Sequence, residues 1–156
     1  MVCGRIHAGG QDLQFPHHEN EIAQSECCNG SPFAHYWMHN GYITIDNEKM
    51  SKSKGNFFTV REIGEKYDLQ VLRFFMLNAH YRSPINFSDA LMDQAKNGLA
   101  RMENCKENLV YLTTAGTDGT MTDSEKEQLA GYDKYRQDFI RVMDDDLNTA
   151  DAISAV

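Results

Sequence analysis

The chain has 156 residues, 41% of them apolar and 10% aromatic, and a net charge of −8. That length suits one medium domain or parts of two, and the apolar share is enough for a packed core. There is no run of about 18 apolar residues and no basic-then-apolar leader with a cleavage site, so a cytoplasmic chain without membrane attachment is expected.

Charge is unevenly spread. Gly41 to Ile85 holds seven Lys or Arg against five Asp or Glu, whereas the 71 residues from Asn86 onward hold seven against fourteen. A nucleic-acid partner would meet a local basic strip on an acidic body, with affinity that falls as salt rises. The four cysteines (Cys3, Cys27, Cys28 and Cys105) show no C-x-x-C spacing, and the vicinal pair is a poor disulfide candidate. A reduced, cytosolic chain is the default for such a pattern.

In chain order, "RIHAGGQDLQF" is a short apolar segment broken by Gly9 and Gly10, where backbone can approach a ligand closely. Pro16 suits the first turn of a helix that continues through "HHENEIAQSECC" and stops at Asn29-Gly30-Ser31-Pro32. A short amphipathic stretch, "FAHYWMHNG", leads to "YITID", a β-rich run ended by an Asp46-Asn47 turn. Next comes "NEKMSKSKGNFFTV", with Lys49, Lys52 and Lys54 inside six residues. Thr59 with Glu62 predicts a capping box, and Asp68 predicts the cap of "LQVLRFFMLNAH", apolar at Leu69, Leu72, Phe75, Met76 and Ala79. "YRSPINFS" is expected to be a loop.

Two long helices should follow as a hairpin. Leu91, Ala95, Leu99, Met102, Leu109 and Leu112 make one stripe, and Leu129, Tyr132, Tyr135, Phe139 and Val142 the facing one. Thr122 with Glu125 forms a second capping box, and a third helix is expected to start at Thr149. Cys105 is expected to be a small core residue of the hairpin.

Lysines three apart with hydroxyls beside them, and Gly55 to let the segment flex, can fold over a triphosphate. Their charges would neutralise what builds on the β- and γ-phosphates as pyrophosphate leaves. A mobile lid lets those charges engage the transition state more than the ground state. Upstream, His17 and Glu21 stand four apart on the expected helix, so both leave one face, and imidazole with carboxylate suits a zinc ion. An exposed charged helix face has the same pattern.

Lys49-Met50-Ser51-Lys52-Ser53 resembles the second hallmark of class I aminoacyl-tRNA synthetases. Together with "IHAGGQDLQFPHHENEIAQSE", "FAHYWMHNGYITIDNEKMSKSKGNFFTV", "VLRFFMLNAHYRSPINFS" and "VMDDDLNTADAI", it resembles the cysteinyl-tRNA synthetases along nearly the whole chain. The resemblance implies an α/β then all-α chain. Residues 1–48 would be the C-terminal part of a Rossmann-type catalytic domain, 49–87 the lysine loop and a stem-contact segment, and 88–156 the start of a helical tRNA-binding bundle.

It implies ATP-dependent activation of cysteine, with Mg2+, and transfer of the aminoacyl group to tRNA(Cys). Lys49 and Lys52 would be catalytic. Gly10, Asp12, Lys49, Met50, Ser51, Lys52 and Ser53 would bind ATP, Asp12 accepting from the ribose hydroxyls. His17 and Glu21 would hold zinc, which prefers the substrate thiolate to a serine hydroxyl.

Two further cysteine ligands of the family's zinc site, and its His-Ile-Gly-His-type nucleotide motif, have no counterpart at matching positions here. A partial chain, inactive alone, is therefore expected, the intact enzyme being a monomer. Cys28 lies about 16 Å along the helix from His17, too far to stand in, and Cys3 does not sit where the family's ligand sits. His7 and His18 are open to two readings, substrate positioning or packing. Trp37 and His39 are expected to pack. Arg61, Arg73 and Arg82 could contact a tRNA backbone or make ordinary surface pairs. Rival readings are the cysteine ligase of mycothiol synthesis and a non-catalytic tRNA-binding fragment.

Overall fold

The computed structural model describes residues 4–45, 47–116 and 119–156, leaving the side chains at 5 and 52 aside. The segment up to Asn56, together with Tyr81–Asn86, makes one compact unit, and Phe57–His80 with Phe87–Val156 makes a second. Among the described residues no helix is long and apolar enough to cross a membrane.

The first unit opens with strand β1 (Gly4–Gly10), a 3-10 turn (Gln11–Leu13) and a wide turn (Gln14–His18) that runs into helix α1 (Glu19–Asn29). Pro16 and the histidines thus precede the regular helix. Gly30, at φ 61°, closes α1 in the left-handed cap that glycine allows. Strand β2 (Ala34–Asn40) then lies parallel to β1, with His7 opposite Trp37 and Gly9 opposite His39. A helix between two adjacent parallel strands is the crossover that such pairing requires. "AHYWMHN" is therefore a strand: its aromatic residues read as amphipathic in isolation, and only the pairing with β1 fixes the period.

A second, three-stranded sheet has the order β4-β3-β5, from β3 (Ile43–Ile45), β4 (Glu48–Lys49) and β5 (Ile85–Phe87). β3 and β4 form an antiparallel hairpin. Of the expected Asp46-Asn47 turn, Asp46 lies outside the described residues, while Asn47 has φ 63° and donates its N–H to Asn86 Oδ1 at 2.9 Å. Part of the expected "YRSPINFS" loop is thus strand. Ile85 N–H donates to Tyr42 O at 2.8 Å, a long-range pairing with no local signal. Gly41 is required where it stands, because a Cβ there would collide with the Ser83 backbone.

The second unit is helical. Thr59 and Glu62 form the expected capping box on α2 (Val60–Lys66), and Asp68 caps α3 (Leu69–Leu77) by accepting from Gln70 N–H at 2.8 Å. Ser88 caps α4 (Asp89–Ala115), the second capping box opens α5 (Asp123–Asp144), and α6 is Thr149–Ser154. Among the described residues the buried apolar side chains all belong here: Ile63, Tyr67, Val71, Phe75, Met92, Ala95, Val142 and Ala152. Met92 is fully buried.

Two expectations are corrected in this unit. On α3, Phe75 is buried as expected, but Val71 joins it inside while the expected Leu69 and Met76 are exposed, and the helix ends before Ala79. The long stripes are buried only near one end of each helix. α4 is exposed throughout 103–115 and α5 throughout 123–137, with Leu112 and Tyr132 above 60% exposed. Helices of about 40 and 33 Å outrun the short elements that pack on them. Cys105 shares that fate and is exposed, as are Cys27 and Cys28.

Candidate functional site

The end of β1, the start of the hairpin and the base of the lysine loop enclose an open cleft of about 240 Å³ within the first unit. Gly10, Asp12, Lys49 and Met50, four of the residues singled out by sequence, line it together with Tyr42. Gly10 leaves room for the Asp12 carboxylate: a Cβ there would stand 2.5 Å from Asp12 Oδ1 and displace it. Lys49 extends from β4 so that its ammonium lies 4.2 Å from the Tyr42 ring centroid, a cation–π contact the sequence did not suggest.

Beyond Lys49 the loop is held by its own polar groups. Met50 N–H donates to Ile43 O at 3.3 Å, and Asn56 ties the loop at both sides, accepting from Ser51 N–H at 2.9 Å and donating to Lys49 O at 3.4 Å. The Ser51 and Ser53 hydroxyls are 3.2 Å apart. Lys54 pairs with Glu48 at 2.9 Å and is not part of the cleft lining. Lys52 lies in a 3-10 turn (Lys52–Lys54), but its side chain is outside the described part of the structure. Gly55, at φ 70°, makes the reversal after the turn.

A second cluster occupies one face of the β1–β2 pair. His18 is buried, at 5% exposure, and its Nδ1 is 2.9 Å from His39 Nε2. His7 Nε2 lies 2.8 Å from Glu21 Oε2. The rings of His7, His18, Trp37 and His39 pack at centroid distances of 4.9 to 5.8 Å. Gly9 makes room for this, since a Cβ there would come within 3.0 Å of His18 Nε2. Burial, followed by the neighbouring His18, Arg82 and His7, holds His39 below the ordinary imidazole pKa.

Three side chains of this cluster bring one possible metal-ligating atom each within 4.8 Å of one another: His7, His18 and Glu21. Two imidazoles and a carboxylate are a zinc-type donor set. Tetrahedral zinc wants its donors about 3.3 Å apart, so a modest contraction would be needed. Glu21 is shared by this group and the pair singled out by sequence. His17 is exposed, in the turn before α1, and is not one of the three. Cys27 and Cys28 sit at the far end of α1, and Cys3 lies outside the described residues.

The family model for the class I (C) tRNA synthetase catalytic domain matches residues 4–97, well over half of the chain. The chain belongs to this family. Among curated members, the proteins named cysteine--tRNA ligase from Clostridioides difficile (strain 630) and Lachnospira eligens are 60% and 62% identical over 151 residues. The one from Lachnoclostridium phytofermentans is 54% identical over 156 residues. These alignments cover 97% of this chain but only 32 or 33% of each relative, so the chain spans about a third of their length.

The synthetase fold is also seen in solved structures. Mycobacterium tuberculosis methionyl-tRNA synthetase in complex with methionyl-adenylate superposes with a TM-score of 0.72 at 21% identity, covering 96% of this chain and 31% of that one. The ternary complex of Agrobacterium radiobacter K84 agnB2 LeuRS with tRNA and LeuAMS gives 0.75 at 15% identity, covering 99% and 21%. At such identities only the fold is shared. The expected architecture, mixed α/β followed by helices, is what this family member has.

Proposed function

We propose that this chain is part of a cysteine--tRNA ligase, which joins cysteine to ATP, releases pyrophosphate and passes the aminoacyl group from the adenylate to tRNA(Cys). The observation that carries this is the cleft in which Gly10, Asp12, Lys49 and Met50 converge, in a chain 54 to 62% identical to ligases of that name. In this assignment residues 1–48 belong to the catalytic domain, 49–87 hold the lysine loop and stem contact, and 88–156 begin the tRNA-binding bundle.

Gly10 lets the main chain reach adenosine, and Asp12 accepts from the ribose hydroxyls. ATP enters with Mg2+. Lys49 is the cation best placed to meet the triphosphate, because it lines the cleft and is not committed to a carboxylate as Lys54 is. Lys52 is its partner, with Ser51 and Ser53 supplying hydroxyls. As the bond to pyrophosphate breaks, the two ammonium groups stabilise the charge that builds on the leaving oxygens.

Glu21 and His17 are assigned to zinc by the family resemblance, while the imidazoles that stand near the Glu21 carboxylate are those of His7 and His18. Bound zinc would supply a soft-metal preference for thiolate over hydroxyl, so cysteine is selected over serine at the activation step. The chain itself orients the carboxylate and walls the site with the rings of His18, Trp37 and His39.

The test is cysteine-dependent ATP–pyrophosphate exchange by a chimera in which this chain replaces the matching third of the Clostridioides difficile relative. Exchange with cysteine but not serine, followed by charging of tRNA(Cys), is expected. Ligation of cysteine to an amino sugar with no charging of tRNA would contradict the assignment. The 156-residue chain alone, which has no His-Ile-Gly-His-type motif, is expected to give no exchange.

A further inference from the structure

Lys49 is exposed on β4 and carries its ammonium on a flexible four-carbon stem, whereas Tyr42 is half-buried on a fixed stretch of backbone. Gly41 N–H donates to Tyr81 O and Ile85 N–H donates to Tyr42 O, both at 2.8 Å, so the main chain is tied on either side of the ring. In the β3–β4 hairpin Thr44 stands opposite Lys49. Tyr42 is two residues before Thr44, which puts its side chain on the same face as that of Lys49 and diagonal to it. The ammonium accordingly lies 4.2 Å from the ring centroid, and both residues line the cleft.

We propose that Tyr42 is a positioning residue for cysteine activation: its ring holds the Lys49 ammonium in the cleft, ready for the triphosphate, without cancelling its charge. The proposal rests on the assignment of Lys49 to the triphosphate. A side chain with that much rotamer freedom samples many placements unless a partner selects one. A carboxylate partner would select one but neutralise the cation, as Glu48 does for Lys54 at 2.9 Å. An aromatic face attracts the cation through its quadrupole and carries no net charge. The whole positive charge, and the N–H groups turned away from the ring, therefore remain for phosphate oxygens. A cation already in place meets the charge that builds on departing pyrophosphate without first reorganising. Tyr42 thus acts through Lys49, and it does so with its ring and not its hydroxyl.

The test is cysteine-dependent ATP–pyrophosphate exchange by the chimeric ligase, with kcat and both KM values measured. Tyr42→Leu, which keeps an apolar side chain but has no π-face, should lower kcat about 3- to 10-fold and leave KM for cysteine unchanged. Tyr42→Phe, which keeps the face, should recover most of that loss. A fluorinated phenylalanine at position 42, close to phenylalanine in shape but with a weakened quadrupole, should fall between the two. In a Lys49→Ala background, Tyr42→Leu should have no further effect, because the group it places is gone. Far-UV circular dichroism checks that each variant is folded, and the phenylalanine pair serves if Tyr42→Leu is not.

If the unsubstituted chimera gives no exchange, or Lys49→Ala exchanges as fast as it does, the assignment of Lys49 fails and the proposal with it. If Lys49→Ala is slow but Tyr42→Leu and the fluorinated variant match Tyr42→Phe, the assignment of Lys49 stands and positioning by Tyr42 is overturned. A Tyr42→Leu loss that persists undiminished in the Lys49→Ala background overturns it too, since the ring would then act on something other than Lys49. A gain in kcat on Tyr42→Leu would mean that the ring withholds the cation, the opposite of the role proposed.

Discussion

Gly10 shows how one atom's absence shapes the cleft. A Cβ would press on Asp12 Oδ1 at 2.5 Å, so Gly10→Ala must turn the carboxylate away from the ribose it is assigned to. A hydrogen bond to a charged group contributes about 1.5–3 kcal/mol. KM for ATP in the chimeric ligase should therefore rise roughly tenfold or more, with KM for cysteine unchanged. Steady-state exchange kinetics check this, and an unchanged KM for ATP would remove Asp12 from the nucleotide site. Gly10, Asp12, Lys49 and Met50 were legible because they lie in two short motifs, whereas Asn40, Gly41, Tyr42 and Ile43, which line the same cleft, carried no such signal. The His7–Glu21 contact was not: it joins a strand to a helix, and only the packing of α1 on β1 brings the two together. What the sequence offered instead was the i, i+4 pair of His17 and Glu21, which is a local signal. The Lys49–Tyr42 contact escaped for a similar reason, since hairpin register and not spacing aligns them.

At the scale of elements, the two capping boxes are the clearest local code. In each, a threonine side chain accepts from the N3 backbone while the N3 glutamate accepts from the threonine N–H, at 2.6 Å for Thr59 and 2.7 Å for Thr122. Thr59→Ala should destabilise the second unit by about 1 kcal/mol, measured by urea denaturation. The backbone N–H of Thr59, then its hydroxyl, holds Glu62 below the ordinary carboxylate pKa of 4.5, and Thr122 does the same for Glu125. The folded pKa is depressed, so this stabilisation is complete above the unfolded value and is lost as pH falls through the folded one. An NMR titration of the Thr59 and Thr122 amides should thus show midpoints below 4.5; midpoints at or above it would contradict the caps. All three predicted caps, at Thr59, Asp68 and Thr122, form as read, since each signal spans three residues. Strand β5 and the burial of Val71 in α3 were missed because both depend on what lies opposite. Ile85 becomes strand only by pairing with Tyr42, and α3 turns Val71 and Phe75 inward to meet its neighbours.

For the whole molecule, the two units are built on different interiors. The second has an apolar core whose fully buried member is Met92. Met92→Ala should cost about 2–5 kcal/mol, whereas Leu112→Ala, on the exposed far part of α4, should stay within about 0.5 kcal/mol. Equal effects at the two sites would contradict the packing. Among the described residues of the first unit, the buried side chain is His18, inside a cluster of imidazoles and one indole. A polar centre is costly unless its groups are partnered, and here they are, by His39 and through the His7–Glu21 pair. That is the composition of a site more than of a core, and it agrees with the role proposed for this unit.

The central claim is that the cleft shared by Gly10, Asp12 and Lys49 handles the triphosphate of ATP during cysteine activation. Its most direct test compares Lys49→Ala with Lys54→Ala in cysteine-dependent pyrophosphate exchange by the chimeric ligase. The first should lower kcat about 100- to 1,000-fold with little change in KM for cysteine, and the second should remain near wild type, since Lys54 pairs with Glu48 outside the cleft lining. Equal rates for Lys49→Ala and wild type would contradict the account.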